Sequence, residues 1–171
     1  MDNLAPDEKS TLVMVYTHDM LVRGEVVTKE SARVGIWPRT QGVPNLIHLL
    51  KPNILLFGGS PPKPYSLAEM FLPTTSAIGY HLAPPATEPL DYDPQEKNRT
   101  LEPVNILLGT FLIKAHVRIS ASTPLGISLE VAYLGWLSIY DVEISNPYLP
   151  QMPPMQVPMM LITPSKIAFA R

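Results

Sequence analysis

Cysteine is absent from the 171 residues, which removes disulfides, thiolate metal sites and thiol nucleophiles together. No stretch approaches the roughly eighteen uninterrupted apolar residues that a membrane helix needs. The opening MDNLAPDEKS lacks the basic and apolar regions of a secretory signal. Basic residues number 13 and are scattered, with formal net charge −2 and a pI near 6.1. A protein that binds nucleic acid by neutralising phosphates usually gathers its cations into a stripe, so this spread argues against one. Convincing helical stripes with caps are missing too. The expectation is a cytoplasmic protein without membrane insertion.

Proline, by contrast, is abundant: twenty residues against about 5% in average usage. Proline disrupts helix interiors and central strands, so the elements must be short and the loops many. An all-β chain fits best.

The sequence also matches itself. VMVYTHDMLVRGEVVT (13–28) lies over VNILLGTFLIKAHVRI (104–119), and NLIHLLKPNI (45–54) over GWLSIYDVEI (135–144). MFLPTTSAIGY (70–80) lies over MMLITPSKIAF (159–169), with Met70, Leu72, Thr74, Ser76 and Ile78 each meeting an identical residue. The offset drifts only from 91 to 89 along the chain. Two copies at this spacing indicate an internal duplication rather than a solenoid, which stacks three or more units. Residues 1–10 read as a polar tail, 11–82 as the first unit, 83–102 as a Pro-rich acidic linker and 103–171 as the second unit.

His18-Asp19 in YTHDML could begin a catalytic dyad or form a turn. A two-residue loop there pairs Thr17 with Met20, Val15 with Val22 and Val13 with Gly24, placing each pair on one face as antiparallel strands require. In the second copy a loop at Gly109-Thr110 pairs Leu108 with Phe111, Ile106 with Ile113 and Val104 with Ala115. Gly109 suits the positive φ of a type II′ turn, and His and Asp enter left-handed conformations more readily than most residues. No serine or further carboxylate is tied to His18-Asp19, so the pair reads as a turn. Gly24 and Ala115 are small residues in mid-strand, where a strand bends or another backbone approaches. Strands are expected near 11–18, 20–28, 46–56, 68–74 and 76–82, with counterparts in 103–171.

Two hairpins bracketing a central strand, present in each copy, resemble the small five-stranded barrels of the Sm and SH3 kind, as in uncharacterised bacterial small-barrel domains. The resemblance implies two tandem small barrels. Sm proteins are RNA binders, but none of their contact residues can be placed here.

The four histidines, His18, His48, His81 and His116, lie in different elements without ligand spacing, so neither a metal nor a cofactor is expected. Asp141 and Glu143 read as solvated strand positions. Phe57-Gly58-Gly59-Ser60 runs into Pro61-Pro62 rather than a helix, and so forms no phosphate cradle. No catalytic residue is assigned. YLPQMPPMQVPMM (148–160) offers stiff, proline-rich chain and adaptable methionines. Trp37 lies in the long loop before the third strand and could anchor an interface. The expected function is a non-enzymatic assembly or scaffold module, associating with itself or with other proteins. Its contacts would be strand edges and Trp37, Tyr148, Met152, Met155 and Met159. The alternative is an Sm-like RNA- or ligand-binding protein using Arg33, Trp37 and Arg39.

Overall fold

The computed structural model describes residues 4–171; the first three residues of the polar tail lie outside it. The first half contributes β1 (Glu8–Tyr16), β2 (Met20–Lys29), β3 (Leu46–Leu56), β4 (Lys63–Ser66), β5 (Glu69–Pro73) and β6 (Gly79–Leu82). The second contributes β7 (Arg99–Leu108), β8 (Phe111–Ser120), α1 (Leu125–Val131), β9 (Leu137–Ser145), β10 (Met155–Ile162) and β11 (Ala168–Ala170). The chain is mostly β, as its proline content and alternating pattern indicate, and α1 is a single short helix. All eleven strands join one antiparallel sheet in the order β11-β7-β8-β9-β10-β6-β1-β2-β3-β4, with β5 also on β3.

Both hairpins form in the expected register: Val15 faces Val22 and Val13 faces Gly24, while Ile106 faces Ile113 and Val104 faces Ala115. Gly109 has the positive φ of its turn, +56°. His18 and Asp19 do not follow, since neither has positive φ. Instead the Thr17 hydroxyl donates to the Asp19 carboxylate at 2.9 Å and accepts from the Met20 N–H at 3.1 Å. The side chain closes a turn that backbone twist closes in the other copy.

The two turns also touch. A Cβ added at Gly109 would stand 3.1 Å from the Thr17 carbonyl oxygen and 3.2 Å from that of His18. Gly109→Ala therefore meets both an unfavourable φ and a backbone clash. It is expected to lose about 1–2 kcal/mol in a urea melt.

Gly24 and Ala115 do mark bends: the β2–β3 ladder slips between Arg23 and Glu25, and the β8–β9 ladder between Lys114 and His116. Opposite them, Lys51 and Asp141 take φ of 47° and 49°, the same irregularity in each half. At Gly24 a Cβ would come within 3.3 Å of the Leu50 carbonyl oxygen and the Pro52 Cα, so the small residue permits the close approach.

Two closed barrels are not what forms. Closing the first half would require β6 to pair with β5, but the free edge of β6 is taken by β10, with Leu161 facing Tyr80 and Ile162 facing Gly79. The same contact removes from β10 the edge that β11 would need. One open, continuous sheet results. The cores interlock accordingly: Leu161 and Trp136 pack into the core of the first half, and Met14, Tyr16 and Leu21 into that of the second. Tyr16 is fully buried and meets Phe111 edge-on at 4.9 Å.

Three further expectations shift. The stretch 148–160 is only partly loop, because β10 begins at Met155. Leu72 pairs with Ile47 on β3, whereas the residue pairing with Leu137 on β9 is Ile162. The counterpart of Leu72 is therefore Ile162, one residue beyond its identical match Leu161. The Pro-rich acidic linker 83–102 is held to both halves, and its last four residues, from Arg99, already belong to β7.

Candidate interaction surface

The linker is pinned by two carboxylates. Glu88 accepts the N–H groups of Val34 and Gly35, each at 2.9 Å, at the start of a 3-10 turn spanning Val34–Arg39. Arg33 stands 3.9 Å from the Glu88 carboxylate and donates to the Pro89 carbonyl. Asp91, whose side chain is only 4% exposed, accepts from Ser138 and Tyr140 at 2.6 Å each and pairs with Arg39 at 2.7 Å. Arg39 also donates to the Ser138 hydroxyl at 2.7 Å. Burial alone would push the Asp91 carboxyl up. The donors Ser138, Tyr140 and Arg39 together outweigh it and hold the group below its ordinary 3.8. A carboxylate so fully donated to is a clasp between the halves rather than an acid or base. Beside it Tyr92 packs edge-on against Tyr140 at 4.8 Å, and Arg118 lies over the Tyr92 ring at 4.4 Å.

Arg33 and Arg39 thus both contact the linker. Trp37, on the same 3-10 turn, is partly buried against the core of the first half. Met152 and Met155 pack, partly buried, on the core of the second. Met152 also lines an apolar cleft of about 260 Å³ with Leu21, Ile54 and Tyr65. Met159 lies on β10 close to Gly35, and Tyr148 is 59% exposed.

His18 occupies its turn, and His48 stacks on Phe71 at 4.6 Å while pairing with Glu69 at 2.5 Å. His81 is buried, its Nε2 2.9 Å from the Tyr16 hydroxyl. His116 lies 3.8 Å from Asp141 in a groove of about 630 Å³ on the face of the second half. That groove pairs its own charges, with Lys114 on Glu143 at 3.4 Å and Arg171 on Glu102 at 3.5 Å. Among the described residues no group of three or more His, Asp or Glu side chains is placed to hold a metal ion, and no helix is long and apolar enough to cross a membrane.

What the fold leaves bare are the ends of the sheet. At one end β4 and β5 both lie on β3, with Tyr65, Leu67 and Phe71 about half exposed. At the other, β11 pairs with β7 alone among the described residues. Helix α1 and the turn after it expose Ile127 at 57%, Val131 at 85% and Leu134 at 91%. Among the described residues α1 is the one α-helix, and the strand pattern of the sequence does not anticipate it. Comparison with protein-family models, with curated proteins and with solved structures finds no match for this chain.

Proposed function

We propose that the protein is a non-enzymatic assembly module that self-associates through its exposed strand edges, in a cytoplasmic setting that the absence of cysteine suits. One observation carries this reading: among the described residues every strand between the ends of the sheet is paired along both edges, while the end strands each keep one open edge beside exposed large apolar side chains. An unpaired edge presents a row of backbone donors and acceptors, and it joins other edges unless it is blocked. Each half is read as an opened small barrel of the Sm or SH3 order. The same pairing sequence runs through both halves, and a 3-10 turn separates the last two strands in each, at Thr74–Ser76 and Pro164–Lys166. The alternative of RNA held by Arg33, Trp37 and Arg39 is disfavoured because the linker occupies both arginines.

Sedimentation velocity over a wide concentration range tests the proposal. The expected outcome is mass that grows with concentration toward a ring or filament. A strict monomer up to high micromolar concentration overturns it.

A further inference from the structure

We infer that the cleft between α1 and β11 receives strand β5 of a second copy of this chain, which makes the assembly head-to-tail. The inference rests on the self-association reading and specifies its two contacting surfaces.

The chain already contains one such junction. β10 lies along β6, and the Thr163 N–H donates to the Ile78 carbonyl at 3.1 Å. The connection between β2 and β3, which holds the 3-10 turn Val34–Arg39, sits against both β6 and β10. Its Val34 is only 1% exposed. In the second half the corresponding connection, between β8 and β9, is α1, and the strand corresponding to β6 is β11. Between them runs a cleft of about 460 Å³ lined by Leu125, Gly126, Leu129, Phe169 and Ala170. Among the described residues no strand lies on the outer edge of β11, and Ile127 and Val131 on α1 are bare. The piece missing from this end is a strand equivalent to β10.

That piece stands unpaired at the opposite end. β5 pairs with β3 as β10 pairs with β9, and its outer edge is open. Carrying over the register of the internal junction sets Phe71 opposite Phe169 and Leu72 opposite Ala168. Phe71 is 55% exposed, and an aromatic pair across neighbouring strands stabilises their pairing. Pro73 takes the place of Thr163 and has no N–H to donate, so the contact between chains has one hydrogen bond fewer than the one within the chain. It is therefore the weaker, reversible copy. Because the two surfaces differ, the interface is heterologous and yields a ring or an open filament according to whether the rotation closes.

Two variants test this. Phe71→Glu charges the entering strand at an exposed position. Gly126→Glu fills the cleft where an added Cβ meets nothing within 4 Å. Each alone should still unfold in one cooperative transition, with Phe71→Glu somewhat less stable for losing its stack on His48, and weaken association by about thirtyfold or more. Mixed in equal amounts, the two should form one-to-one dimers, since one chain keeps an intact cleft and the other an intact strand. If Phe71→Glu fails to fold, Phe71→Ser replaces it. Wild-type protein that stays monomeric overturns both self-association and this interface. Wild-type protein that assembles while either variant assembles equally well, or variants that fail to complement on mixing, overturns the interface alone.

Discussion

Asp91→Ala is expected to lower the folding free energy by about 3 kcal/mol, read as a shift of the urea midpoint. Removing one partner of a buried ion pair leaves the other charge uncompensated and costs about 3–5 kcal/mol where both are enclosed. Arg39 is 33% exposed and can recover some water, which reduces that loss. The Ser138 and Tyr140 hydroxyls then lose their acceptor, at about 1 kcal/mol each. Asp91→Asn keeps the shape and an acceptor oxygen but not the charge, so its loss should be about half as large. An Asp91→Ala protein as stable as wild type would show that the linker does not clasp the halves.

Acid is expected to unfold the protein through His81. The ring is buried, its Nδ1 donating to the Leu82 carbonyl at 2.7 Å and its Nε2 accepting from Tyr16. Burial holds the group down to about 4 from its ordinary 6.5, although the Leu82 carbonyl favours the charged ring. In the unfolded chain His81 takes a proton below about pH 6.5; in the folded chain it does so only near 4. Its contribution is complete above pH 6.5 and falls by about 1.4 kcal/mol per unit as the pH drops toward 4. The total is about 3 kcal/mol. Asp91, depressed below 3.8, adds its own loss only at still lower pH. Urea midpoints at pH 7, 5.5 and 4 should show the slope, and His81→Phe should flatten it whatever its stability at pH 7. An unchanged slope in that variant would assign the acid sensitivity to other groups.

The hairpins were legible because alternation and loop length together fix register, and two separate stretches met the same condition. The bends were legible because Gly24 and Ala115 are small at matched places. The junction of β6 with β10 was not. It rests on two facing pairs of residues, and nothing local distinguishes an edge that closes on its own half from one that joins the other. The one-residue slip at Leu72 shows how identity misleads when a period-2 pattern matches nearly as well after a shift. The linker was read from composition, which reports polarity but not that Glu88 and Asp91 each find donors. Helix α1 did leave a trace: Ile127 and Val131 stand at helical spacing after Pro124, with Leu134 one turn further on, before Gly135. The stretch is short, and its apolar stripe faces outward, so it lacked the polar opposite face that marks a core helix. His81 left no trace, since burial is a property of the sheet it joins.

Hydrogen–deuterium exchange at low and at high protein concentration tests head-to-tail pairing of sheet ends most directly. Amides of β5 and β11 should slow together as concentration rises, while those at the β6–β10 junction stay equally protected at both. Exchange at β5 and β11 that is indifferent to concentration in a sample shown to be assembled would place the contact elsewhere.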